Sequence, residues 1–323
     1  MSRDAERLLK RLDRLQRLQG SHKVACENRL KVFAEGRRLR YVDVRSDLVL
    51  GSPFGRPPLP ALITPRGMAI QTYLVALFEA QCRHRPGNEP DNHRVLRATE
   101  RDEIGWLGLL ASVADASTAT SVERATSLDN LLRQAKSALR ALAASNLVQL
   151  SGETSSHGRY EQFKLGHESG GVAFLTYTVP QARLHQLIRL PIDFFLRGWV
   201  HVLSPAEIAT YLMMRHLGVA YPDRHQNSGV FVAGAYREDT YGLSRDVYEA
   251  HRALTAFRLL ERLPDSRRWP NGRIRNFKEV VAREDGAQLP AHRFRARGDD
   301  ALKRDAWLIV TNRLRQSLRP TQA

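Results

Sequence analysis

Ser244, Arg245, Tyr248, Glu249 and Arg252 share one face of a predicted helix, and their types suit chemistry on a polyanion. From Leu243 the apolar residues recur at Val247, Ala250, Leu254 and Phe257, in steps of four, three, four and three, which commits one stripe to a core. The polar residues are left on the other side. Guanidinium, phenol and carboxylate groups so placed reach base edges and phosphates when a helix lies in a major groove. Just downstream, Arg267, Arg268, Trp269, Asn271, Arg273 and Arg275 crowd a turn that contains Pro270 and Gly272. Arginine there offers two-pronged contacts to phosphate. Trp269 either packs inward or inserts at a groove, and the sequence leaves both open.

No catalytic set competes with this group. His84 follows Cys82 by two residues, but no second pair stands at metal-ligand spacing. The chain has no His-Glu-x-x-His and no Gly-x-x-x-x-Gly-Lys-Ser/Thr phosphate cradle. Glu238, Asp239 and Asp246 read as caps and solvated faces rather than a nuclease centre. The expectation is a protein that is not an enzyme and needs neither metal nor cofactor.

The elements that must hold the cationic residues begin at Ser204. Ser204 and Glu207 form a capping-box pattern around Pro205, and Ile208, Tyr211, Leu212 and Leu217 give the helix that follows an apolar face, ended by Gly218. The helix at 244–257 comes next, then strand-like residues 259–263, the basic turn, and strand-like residues 273–281. Helix, helix and basic-tipped hairpin over 203–281 resembles the winged-helix family of DNA-binding domains. The resemblance implies that helix 244–257 reads bases and that the hairpin, or wing, grips the neighbouring backbone. It also implies that Arg245→Ala or Arg252→Ala lowers discrimination between sequences, whereas Arg268→Ala weakens all duplexes alike.

A similar order occurs earlier. Helical patterns at 67–82, at 102–113 and at 127–144 precede strand-like residues 147–150 and 159–165. The third helix buries Leu128, Leu131, Leu132, Ala135, Leu139 and Leu142 and presents Asn130, Arg133, Gln134, Ser137 and Arg140, a second candidate DNA face. Residues 139–150 and 254–263 both resemble the end of a reading helix entering its first wing strand. The first wing, 151–159, carries far less positive charge, so the first unit either binds DNA weakly or serves in dimerisation. Between the units, 172–178 predicts a buried strand and 188–196 a strand followed by a short helix.

The chain's 323 residues, 42% hydrophobic and 26% charged, can build two modest cores. A net charge of +16 favours nucleic acid as partner. Lysine occupies only positions 10, 23, 31, 136, 164, 278 and 303, a bias toward arginine that suits phosphate and equally follows from a GC-rich genome. Cys26 and Cys82 form no disulfide framework, no run is long and apolar enough for a membrane span, and the first residues lack a signal peptide, which predicts a cytoplasmic, nucleoid-associated protein. Leu8, Leu12 and Leu15 predict an amphipathic N-terminal helix packed on its own domain; Arg37, Arg38 and Arg40 form a solvated cluster; 52–65 is an extended Pro-rich connector; 299–318 closes the chain as a helix.

The expected fold is α+β and mainly helical. It comprises an N-terminal helical arm and linker at 1–66, winged-helix domains at 67–180 and 181–298, and a C-terminal helix at 299–323. The expected function is sequence-specific double-stranded DNA binding, as a replication initiator or transcriptional regulator of a plasmid or phage, with a homodimer left open. The rival is a winged-helix interaction or dimerisation module whose basic charge is incidental.

Overall fold

The computed structural model describes residues 3–51, 55–63, 67–98, 103–111, 121–152, 158–265, 268–269, 273–276 and 292–319. The fold is α+β and mainly helical, with small antiparallel ladders. Helix α1 (Arg3–Glu35), about 50 Å long at 1.5 Å per residue, buries Leu15, Leu18, Ala25 and Val32 and runs along the rest of the molecule. It is tied down at several points. Arg11 grips Glu207 with two hydrogen bonds of 2.5 and 2.7 Å, and the Trp307 indole donates to the Leu15 carbonyl at 2.8 Å.

Strand β1 (Tyr41–Arg45) was not legible as a strand beside the arginine cluster that precedes it. It pairs antiparallel with β4 (Leu187–Pro191), Val42 opposite Leu190 and Val44 opposite Ile188, all fully buried. A residue run from the first 66 positions is thereby stitched to one from the second half. Residues 59–62 form a 3-10 turn whose Leu59 and Leu62 are fully buried against the core, so this part of the Pro-rich stretch is a plug rather than an extended connector.

In the first half, α2 (Ala69–Arg83) is buried on every side from Ala69 to Cys82 rather than on one face. Of the helix expected at 102–113, the described residues 103–111 form one helical turn, α3 (Trp106–Leu109), whose first amides, of Trp106 and Leu107, donate to the carbonyls of Val95 and Leu96. Helix α4 (Ser121–Ala144) leads into β2 (Val148–Gln149), which pairs with β3 (Lys164–Leu165). The strand expected to be buried at 172–178 is largely exposed: Val172 is 91% accessible and Leu175 56%, with Tyr177 buried. It runs along one side of β3, the Tyr177 amide donating to Leu165 and the His167 amide to Leu175.

Short helices α5 (Asp193–Leu196) and α6 (Trp199–Val202) lead to α7 (Pro205–Ala220), whose Ser204 and Glu207 make both bonds of the capping box. Gly218 lies inside this helix rather than ending it. Then come α8 (Pro222–Asn227), α9 (Gly234–Tyr241), α10 (Arg245–Tyr248) and α11 (His251–Ala256). The stripe from Leu243 to Phe257 is buried at Leu243, Leu254 and Phe257 but only half-buried at Val247 and Ala250, and α10 and α11 are separated by a tightened turn in which Ala250 and Arg252 donate three residues back. Strand β5 (Leu260–Arg262) pairs with β6 (Phe294–Ala296) and not with 273–276, the described part of the strand expected next, and Phe294 supplies the buried apolar residue opposite Arg262. Residues 277–281 lie outside the described residues. Val230 bridges the far side of Phe294 through reciprocal 2.8 Å bonds, giving the order Val230, β6, β5. The last helix is split by Arg304 into a 3-10 turn (Asp299–Lys303) and α12 (Ala306–Leu318), capped by Asp305.

The two halves end their long helices alike. Asn146 and Arg258 both adopt left-handed backbone, φ 54° and 62°, and the amides of Leu147 and Leu259 return to Leu142 and Leu254 at 2.9 Å. This is the closure in which Gly, or sometimes Asn, is the usual left-handed residue.

One buried cluster has a consequence for pH. The Arg29 guanidinium is fully buried with no ion-pair partner among the described residues; it donates to the carbonyls of Phe195 and Leu109 and to His201 Nε2 at 2.6 Å. His201 Nε2 is therefore an acceptor, and a proton there would face the guanidinium. Burial first, then Arg29, holds His201 well below its ordinary value and His22 down to about 4. Both folded values lie below the unfolded one, so their contribution is complete above about pH 6.5 and is lost as pH falls. For His22 alone, at about 1.4 kcal/mol per pH unit, denaturant titration at pH 5.5 should show about 1.4 kcal/mol less stability than at pH 7.5, with a further loss of the same sign from His201.

Candidate nucleic-acid interface

An open groove of about 1030 Å³ lies between α9, α10–α11 and the β5–β6 ladder. It exists because the Leu254 and Phe257 side of the helix is buried in the core, which turns the opposite face outward. Arg245, Tyr248, Glu249 and Arg252 all line it, and Arg273 enters from the hairpin. Ser244 caps α10, its hydroxyl accepting from the Val247 amide at 3.4 Å. Arg252 is 77% exposed and paired with Glu249 at 2.7 Å. Arg245 is exposed and makes no ion pair among the described residues.

Several further groups line the groove. Arg237 on α9 is largely buried, donating to the Leu243 carbonyl and to Glu238, with its guanidinium 5.2 Å from the Tyr248 ring. Arg262 faces the groove from β5, and His251 and His292 flank Phe294 at ring distances of 4.7 and 6.4 Å. Alternation along β5 was the signal for Arg262; nothing local marked the histidines. Burial pushes the Tyr248 phenol up to about 12 and lowers both histidines, so these rings are neutral at pH 7 and the described charges of the groove are those of its arginines and Glu249.

The hairpin tip is built by a bridge between Arg268 and Ile274 and a 2.8 Å bond from the Trp269 amide to the Arg273 carbonyl. Arg268 itself is mostly covered, 14% exposed, and lies 3.8 Å from Asp265. The accessible groups at the tip are Trp269, 52% exposed, and Arg275, whose guanidinium stands 4.7 Å from the indole, together with Arg273. Arg267 and Asn271 lie outside the described residues.

The residues singled out on α4 are not brought into this groove. Arg133, Gln134, Ser137 and Arg140 are exposed there, and Asn130 is half-buried and accepts from Arg133. Arg140 donates to the Tyr160 hydroxyl at 2.6 Å, and Lys136 stands 5.5 Å from the same ring. No group of His, Cys, Asp and Glu among the described residues could hold a metal ion, and no described helix is long and apolar enough to cross a membrane.

No family model, curated protein or solved structure matches the chain.

Proposed function

We propose that the chain binds double-stranded DNA with sequence preference, through α10–α11 in a major groove and the hairpin on the adjacent backbone or minor groove. One observation carries the reading: Arg237, Arg245, Arg252, Arg262 and Arg273 line a single open groove in which Glu249 is the one carboxylate among the described lining residues, with a helix on one wall and a hairpin on another. The element order supports a winged-helix arrangement, α7, the Val230 bridge, α9, α10–α11, β5 and β6, with strand order Val230, β6, β5. The role that fits is that of a replication initiator or transcriptional regulator.

Fluorescence anisotropy with random duplex DNA at 50 and 200 mM salt tests it. Each phosphate neutralised adds about −0.9 to the log–log salt slope, so the reading expects affinity to fall clearly between the two salt concentrations. Absent binding at low salt, or a flat salt response, overturns the reading.

The second reading, docking or dimerisation through the first half, is favoured by the exposed Val172 and Leu175 on the segment beside β3. Light scattering tests its dimerisation arm, because a constant monomer mass at every concentration removes self-association through this face.

A further inference from the structure

A second cationic cavity, of about 620 Å³, lies on the other side of the β5–β6 ladder from the groove. Side chains alternate across a strand: Arg262 and Phe294 line the groove, whereas Glu261 and Arg295 line this cavity. Its lining includes the apolar side chains of Phe257, Ala296, Ala301 and Ile309. Its rim holds four arginines and two carboxylates, and the carboxylates are already matched. Glu261 pairs with Arg295 at 2.9 Å and Asp300 with Lys303 at 2.6 Å. Arg258, Arg297 and Arg304 remain, exposed and without an ion pair among the described residues.

Arg258 is a second, independent pointer. It occupies the left-handed corner after α11, with φ 62°, where its counterpart after α4 is Asn146. Left-handed backbone disfavours a side chain with no short polar group to bond locally, and strained residues of this kind concentrate where a ligand is held. The corner projects the Arg258 side chain into the cavity lining. Glycine would close the helix at lower conformational cost.

We infer that this cavity binds a small polyphosphorylated ligand of the nucleoside diphosphate or triphosphate class. Arg258, Arg297 and Arg304 take the phosphates, and the apolar lining beside Phe257 takes the nucleoside. The volume lies within the range of small-ligand sites, and three uncompensated guanidinium groups match the charge of such a chain of phosphates. The inference does not depend on the DNA-binding reading, since the two sites share no lining residue.

The test is calorimetric titration of the full chain with ATP, without divalent cations, followed by competition with inorganic tripolyphosphate. Expected are one saturable site per chain, displacement by tripolyphosphate, and a loss of affinity of about tenfold or more in Arg258→Gly and in Arg304→Ala. Arg258→Gly should melt at the same temperature as the parent or higher, which separates lost binding from lost folding. Arg245→Ala should bind ATP as the parent does. The proposal is overturned if no saturable binding occurs, if Arg258→Gly binds ATP unchanged, or if Arg245→Ala abolishes ATP binding, which would place the ligand in the groove. It is equally overturned, in favour of a second track for a DNA backbone, if Arg258→Gly weakens duplex binding while ATP fails to bind.

Discussion

Glu168→Ala lowers the unfolding free energy by about 3–5 kcal/mol, the usual cost of leaving half of a buried ion pair alone. Arg45, 1% exposed, sits at the end of β1, and its guanidinium meets the fully buried Glu168 carboxylate at 2.6 Å. The other carboxylate oxygen accepts from the Arg45 amide at 3.2 Å, and the far side of the guanidinium donates to the Thr178 carbonyl at 2.8 Å. Removing Glu168 leaves a buried cation with no carboxylate partner, and burial makes that costly. The double replacement Arg45→Met, Glu168→Leu should recover much of the loss, because it removes both desolvation penalties together. Urea denaturation at constant m-value checks both. A loss below about 1 kcal/mol in the single variant would give this pair the strength of a surface ion pair.

The second large effect falls on binding. Arg245→Ala with Arg252→Ala lowers affinity for a selected duplex by about 30-fold or more, two contacts at about 1–3 kcal/mol each. Random duplex should lose less, since phosphate contacts from Arg273 and Arg275 survive. Their removal, in turn, should weaken all duplexes alike and flatten the salt slope. Arg268→Ala is now expected to act through the hairpin's structure, because its side chain is covered beside Asp265. Competition between selected and random duplexes provides the measurement. Equal losses on both for the α10–α11 pair would remove base reading from that helix.

What the sequence made legible was local. The capping box at Ser204 and Glu207 and the apolar stripe from Leu243 to Phe257 are written in nearby residues; the box stands in the structure, and the stripe is buried at Leu243, Leu254 and Phe257 and half-buried between them. The face that lines the groove followed from that stripe. What escaped depends on distant partners. Strand β1 pairs with β4 across more than a hundred residues, and only two alternating valines announce it. The partner of β5 is Phe294 rather than the nearer Arg273 stretch, because the ladder is chosen by the buried aromatic rather than by loop length. Arg237, Arg262, His251 and His292 enter the groove from separate elements, and no spacing rule connects them. The apolar pattern at 172–178 misled because apolar composition does not say whether a strand has a cover.

The most direct measurement is photocrosslinking to one duplex from a reactive group placed at position 252, on the helix, and separately at position 269, on the hairpin. The account predicts that both positions crosslink, to nucleotides within about one turn, 10 base pairs, of each other. Crosslinks from neither position, or from sites farther apart than the molecule's own groove, would contradict it.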